Sequence, residues 1–474
     1  MVYPGATHTR FLHSVGVMHL SGKFAVSILR TSEGFAGQSI RSMLREEAEY
    51  YIPHLDDLGV EDEGSLLSIL TGIRLGGLMH DIGHMPFSHA FEEAVLSSSK
   101  RLANLGVRSH EDLGHRIYVN YLRDRIRRFV RDRYGRDGIC EDAVCECLDY
   151  IMSPREEHYR LPAYVLARHL VKEFVYPADI VDFCMRDSYF AGTVEYGRID
   201  ADRLFMFSLA IFQSNRTLIG LMRKAVGALR AYLFSRLWLF NNVYLHKFSR
   251  LMDYVVRDLL HQVHERGIID FEGIIEGIVR GDEDARLELE KMDDGYVLYR
   301  ALESRDEELR DLSKRILCRR PHLREVFFHE ITIRLEDFHM AKRGERFEDI
   351  IGVLRKEVAE ALSVDIEHII IDSPPIRIFP LNPYLPYSTF PIVETSKRTI
   401  IGIREADAWK ITNTRMLDFI ALRILIPSRV LRSLGMMADK VGRKMGSLIT
   451  DDFEERLKAA FIRKYSGAPQ HVTM

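Results

Sequence analysis

The chain has 474 residues, 46% of them hydrophobic and 28% charged, with a formal net charge of −3. That balance belongs to a folded globular chain with material for one large lobe and a smaller one, since single cores stop growing near roughly 250 to 300 residues. Slight acidity excludes a protein whose main task is to coat a polyanion, which needs a broad basic surface. No apolar run approaches the ~18 residues needed to cross a bilayer, so no membrane partner is expected. The opening residues MVYPGATHTR lack the charged and apolar regions of a secretory leader, and the expected location is cytoplasmic. The five cysteines, including Cys140, Cys145 and Cys147, have neither the pairing nor the histidine company of a zinc site.

Phe11, Val15, Met18, Phe24 and Ile28 recur at helical spacing and predict a first helix. The same periodicity predicts helices around 65–81, 112–130, 162–174, 178–190, 221–260 and 295–318. Within 123–136, Arg123, Arg125, Arg127, Arg128, Arg131, Arg133 and Arg136 alternate with Asp124 and Asp132, which reads as a solvated helix face. After about residue 325 the pattern changes. A helix near 346–362 leads into the Ile-rich run Ile366 to Asp372, strand-like and stopped by Pro374 and Pro375. Further strand-like pieces follow at 376–379 and 398–404, then helices near 406–422 and 427–443. The expected fold class is mainly α, a helical core over residues 1–325 with a smaller C-terminal α+β lobe over 326–474.

The stretch Gly77-Leu78-Met79-His80-Asp81-Ile82-Gly83-His84-Met85-Pro86-Phe87-Ser88-His89 carries more histidine than packing needs. His80 and His84, four apart, are expected on one helical face, and Pro86 should end that helix. His80 and Asp81 then sit near a helix C-terminus, where free carbonyls favour a cation. Adjacent imidazole and carboxylate suit a divalent ion such as Mn, Fe, Ni, Zn or Mg. Two ligands do not hold such an ion alone. Candidates to complete the shell are His13, which shares a helix face with Arg10, and Asp179, which follows Tyr176-Pro177-Ala178 and opens a helix that also carries Phe183 and Asp187. At about 1.5 Å per residue Asp179 and Asp187 stand roughly 12 Å apart, a nucleotide-sized span.

The order His13, His80-Asp81, Asp179 resembles the H…HD…D signature of the HD superfamily. The surrounding segments YPGATHTRFLHSVG, GLMHDIGHMPFSH, SHEDLG, YPADIVDFCMRDSYFAG and NNVYLHK are similar to its deoxynucleoside triphosphate triphosphohydrolase branch, over residues 2 to about 325. The resemblance implies an HD-domain helical core, a divalent metal held by His13, His80, Asp81 and Asp179, and a nucleotide substrate. It implies that Arg10 meets the polyphosphate, that His84 and His89 line the phosphate pocket, and that His110 is the acid or proton relay beside the α-phosphate. Ser109 can cap the helix opened by His110, with Asp112 as its capping-box partner. Asp187 matches the acceptor of a sugar 3′-hydroxyl, while Arg236, Phe240, Tyr244 and Lys247 fall at helical spacing and supply phosphate donors and aromatic surface. Relatives carry a preceding segment that helps hold the base, so this chain is expected to be short at its N-terminus. Ile180 and Phe183 replace a Lys and a Tyr of the SAM-and-HD-domain enzyme.

The reading is therefore a metal-dependent phosphohydrolase that releases triphosphate from (deoxy)nucleoside triphosphates, expected as a homo-oligomer. Its rivals are an HD phosphohydrolase for a nucleoside monophosphate, cyclic dinucleotide or alarmone, and a nucleotide-sensing or nucleic-acid-binding module with vestigial catalysis. Nucleic acid as a partner has no support beyond the Arg-rich stretch.

Overall fold

The computed structural model describes residues 2–41, 49–154, 161–213, 216–334, 337, 345–377, 389–397, 399–404, 416–435 and 438–466. Helix α1 (Arg10–Glu33) starts where the Thr9 side chain accepts the Leu12 N–H, and α2 (Glu63–Met79) where Asp62 accepts from Ser65. The two pack closely because α2 carries glycines on its contact face. A Cβ added at Gly77 would lie 2.7 Å from Ser21 Oγ and 3.0 Å from the Val17 carbonyl oxygen. That close approach brings the C-terminal end of α2, with His80, beside His13 on α1.

Next come α3 (His110–Ile117), α4 (Arg123–Tyr134), α5 (Glu141–Met152), α6 (Pro162–Val171) and α7 (Ala178–Ala191). Ser109 and Asp112 form the expected capping box at the start of α3. A π-helical turn at Tyr118–Leu122 joins α3 to the Arg-rich α4, which is mostly exposed, with only Val130 fully buried. Helix α8 (Val226–Leu239) passes through a second π-turn, Phe240–Tyr244, before α9 (Lys247–Glu265) begins. Shorter helices at Phe271–Arg280, Glu283–Glu290, Asp294–Glu303 and Glu307–Leu317 wrap α9 and close a core of their own.

In chain order the strands are β1 (Ser39–Arg41), β2 (Glu49–Tyr51), β3 (Ser208–Gln213), β4 (Arg216–Met222), β5 (Leu323–Arg334), β6 (Ile370–Asp372), β7 (Pro375–Arg377), β8 (Thr389–Glu394), β9 (Thr399–Arg404) and β10 (Met416–Pro427). One sheet has the order β1-β2-β3-β4-β8-β9, antiparallel except where β4 meets β8. The other places β10 between β5 and β6, with β7 also on β10. The fold is thus mainly α, a helical core with a C-terminal region that adds strands and the helices α10 (Phe347–Leu362) and α11 (Asp451–Ser466). Among the described residues no helix is long and apolar enough to cross a membrane.

Two expectations fail in this region. The helix expected near 406–422 is strand from Met416 onward, and 405–415 lies outside the described residues. Ala421, Leu422, Ile424, Leu425 and Ile426 are all fully buried, so the run is covered on both faces and reads without the alternation that marks a half-exposed strand. A single cut at residue 325 also does not separate the cores. Phe390 and Ile392 of β8 return to pack with Phe174, Tyr176 and Leu221 of the N-terminal lobe. The lobes are tied by charge as well. Arg250 on α9 makes a fork to Asp372 of β6 (2.7 and 3.2 Å), and the buried Arg423 of β10 donates to the Leu245 carbonyl (2.7 Å), one residue past Tyr244.

Candidate metal centre and phosphate pocket

Three separated helices bring His13, His80 and Asp179 together, with ligand atoms all within 4.8 Å of one another. His13 Nε2 lies 3.1 Å from Asp179 Oδ1 and 3.8 Å from Asp81 Oδ2; His80 Nε2 lies 3.3 Å from Asp81 Oδ1 and 3.5 Å from Asp179 Oδ1. The other nitrogen of each ring is already committed. His13 Nδ1–H donates to Asp182 Oδ2 (2.8 Å) and His80 Nδ1–H to the Gly77 carbonyl (2.9 Å). That fixes both tautomers so that the Nε2 lone pairs converge. His80 Nε2 is buried and makes no hydrogen bond. Two imidazoles, two carboxylates and an orphaned ring nitrogen fit a divalent cation of intermediate softness.

The electrostatics agree. Burial lowers an imidazole, yet hydrogen bonds to Asp179 and Asp182 and the charges of Asp179 and Asp81 carry His13 to about 10. His80 is raised against burial by Asp81 and Asp179, and both carboxylates are held below their usual range despite burial, Asp81 by His80, Arg10 and His13 and Asp179 by His13 and His80. In the metal-free protein protons occupy this negatively charged hole.

His80 is the C-cap of α2, and the chain turns immediately after it, so His80 and His84 do not share a helix face as expected. The turn instead carries His84 across Asp81 (3.6 Å) into a second cluster with His89 and His110. His84 and His110 stack, centroids 3.8 Å apart and planes 14° off parallel, and His89 stands edge-on to both. Phe87 and Ser88 hold positive φ values of 59° and 55°, a strained turn that aims Ser88 at Arg10. The Arg10 guanidinium donates to Ser88 Oγ (3.0 and 2.7 Å) and to Asp81 Oδ2 (2.6 Å), so it bridges the two clusters. Glu92 accepts from His110 Nδ1 at 2.8 Å and lies 3.5 Å from His89; these bonds hold its carboxyl at about 2 in spite of burial. His84 is pushed well below the usual histidine range by burial and by Arg10, His110, His89 and His80.

At the far end of α7, Asp187 Oδ1 accepts from His8 Nε2 and Oδ2 from the Tyr244 hydroxyl, each at 2.6 Å. Phe183, Phe240 and Tyr244 form an aromatic wall with centroids 5.1 to 6.3 Å apart. Arg236 is buried with its guanidinium 4.6 Å from the Phe240 ring. Lys247 does not continue the helical spacing of Arg236 and Tyr244. The π-turn ends α8 before it and it opens α9, and its charge acts on His246 and on Glu325 of β5.

Glu92, Asp182 and His8 are functional-site neighbours that the sequence pattern alone does not mark. Glu92 follows His89, and Asp182 follows Asp179, by three residues, so each shares a helical face with a chosen residue. His8 precedes α1 in irregular chain and carried no periodic signal.

The chain matches the HD domain over residues 58–182 and the HD associated region over residues 199–381. It thus carries an HD domain followed by an HD associated region. It is 29% identical over 259 residues to the deoxynucleoside triphosphate triphosphohydrolase SAMHD1 homolog of Dictyostelium discoideum (54% of this chain, 40% of that one). To the human deoxynucleoside triphosphate triphosphohydrolase SAMHD1 it is 26% identical over 269 residues (54% and 37%). The match thus covers less than half of each of these relatives. A crystal structure of a hypothetical protein from Aquifex aeolicus has the same fold, with a TM-score of 0.57 at 19% identity, covering 93% of this chain and 88% of that one.

Proposed function

We propose that the protein hydrolyses (deoxy)nucleoside triphosphates to nucleoside and inorganic triphosphate. The observation that carries this reading is the adjacency of an acidic His/Asp cluster and a three-histidine cluster across Arg10, with a hydroxyl-accepting carboxylate at the other end of α7. His13, His80, Asp81 and Asp179 would hold a divalent metal, which when bound polarises the α-phosphate and acidifies water. Arg10, His84 and His89 bind the phosphates as guanidinium and imidazole donors, with Arg236 behind the aromatic wall. Glu92, ionised, keeps the His110 Nδ1 proton in place and thereby presents His110 Nε2 to the leaving oxygen. As the bond between the α-phosphorus and the 5′-oxygen breaks, His110 Nε2 delivers a proton to that oxygen, and water supplies the new oxygen on triphosphate. Asp187 accepts a sugar hydroxyl, and Phe183, Phe240 and Tyr244 flank the sugar or base. The similarity to relatives named as deoxynucleoside triphosphate triphosphohydrolases supports the substrate class.

The test is a product assay on metal-loaded protein given each deoxynucleoside triphosphate in heavy-oxygen water. The expected products are nucleoside and labelled triphosphate in equal amounts. Release of pyrophosphate or orthophosphate, or label in the nucleoside, rejects the reaction.

A further inference from the structure

We infer that His8 is a specificity-determining positioning residue, one that sets how Asp187 reads the hydroxyl edge of the substrate sugar. The inference rests on the nucleotide reading above and deepens it.

His8 lies in the irregular stretch just before Thr9, the residue that caps α1. That stretch runs along the C-terminal half of α7. The Tyr3 hydroxyl donates to the Asn242 carbonyl in the π-turn before Tyr244, and Gly5 passes so close to α7 that an added Cβ would lie 2.6 Å from the Phe190 carbonyl oxygen. Residues 3–8 therefore strap the end of the groove opposite the metal cluster. His8 is fixed on this strap by stacking on Phe190, with centroids 4.5 Å apart and planes at 21°. Its only hydrogen bond among the described residues goes from Nε2 to Asp187 Oδ1, and its Nδ1 is buried without a partner. A histidine kept for structure alone spends both ring nitrogens where it is buried. Here the polar edge of the ring serves Asp187.

The consequence follows from lone-pair counting. An ionised carboxylate accepts about four hydrogen bonds. His8 takes one position on Oδ1 and Tyr244 one on Oδ2, which pins the carboxylate plane from both sides and leaves one open lone pair on each oxygen. A sugar hydroxyl entering the groove meets an acceptor of fixed direction. Without His8, Oδ1 turns to water or rotates away, and the hydroxyl loses its oriented partner. The residue acts through Asp187, so its signature is discrimination between sugars rather than loss of chemistry.

The experiment measures equilibrium binding to metal-loaded protein of α,β-imido analogues of 2′-deoxynucleoside and 2′,3′-dideoxynucleoside triphosphates, each in four bases, by calorimetry. Wild type, His8→Ala and His8→Gln are compared, alongside triphosphate release from the natural substrates. The wild type should favour the analogue with the 3′-hydroxyl, and His8→Ala should cut that preference about tenfold, the scale of one hydrogen bond to a charged group. His8→Gln, whose amide reaches the Nε2 position, should restore most of it. Equal weakening of both analogues by His8→Ala, or a wild type indifferent to the 3′-hydroxyl, overturns the inference even if triphosphate is released. A His8-dependent preference in a protein that releases no triphosphate upholds the inference and rejects only the proposed reaction.

Discussion

Two histidine clusters lie side by side in this molecule, each bringing three ligand-type groups within 4.8 Å, and their surroundings differ. Around His13 and His80, Asp81 and Asp179 raise both rings against the pull of burial, and Asp182 adds to the effect on His13. Around His84, His89 and His110 the carboxylates are Glu92, engaged by two of the rings, and at the border Asp81, 3.6 Å from His84 and bound by the Arg10 guanidinium; His84 is driven down. Ring geometry points the same way. His84 and His110 lie nearly parallel, so their in-plane lone pairs do not converge on one ion, whereas His13 and His80 meet at 69°. Donor type and spacing alone do not define a metal site. The surrounding charge decides whether a hole for a cation or a cradle for phosphate results.

The largest expected effect is on the cation side. Asp179→Ala should reduce the metal content of purified protein, read by elemental analysis, to background, and remove turnover with it. In the phosphate cradle, Glu92→Gln and His110→Ala should retain metal while turnover falls about 10²- to 10⁴-fold, the range of general acid catalysis. A Glu92→Gln protein as metal-free as Asp179→Ala would break the contrast, as would metal binding at two equivalents per chain. Asp182→Asn is a smaller perturbation. It loosens the orientation of His13 and should weaken metal affinity about 10- to 100-fold in chelator competition, with turnover recovered at saturating metal.

How much of this was legible in the chain depends on what fixes each feature. The four candidate metal ligands stand in contiguous motifs on helices whose periodicity is plain, and the structure gathers them. The Ser109–Asp112 box was equally readable because capping is local. Helical spacing does not reach Lys247, because a π-turn breaks the helix before it, nor carry His84 onto the face of His80, because the chain turns one residue after α2. The start of strand β10 is not legible as strand because a run buried on both faces carries no period to read. Glu92 and His8 are long-range partners, and nothing local marks a residue whose job is to orient another.

The smallest effect separates the two clusters by the sign of their proton linkage. In metal-free protein His13 holds its proton to about pH 10, far above the roughly 6.5 of an unfolded chain, so its contribution to stability is complete below about 6.5 and is lost as pH rises toward 10. His84, driven down by burial and its cationic neighbours, behaves oppositely; its contribution is present above about 6.5 and fades as pH falls. A bound divalent ion takes the place of the His13 proton, so the Tm gained on adding metal should grow between pH 6.5 and 9, by a few °C at most. Scanning fluorimetry across that range, with chelator or with metal, reads it directly. A metal-dependent gain that shrinks with rising pH would remove His13 from the metal's shell, and His84→Gln should flatten the acid side of the curve without altering the alkaline one.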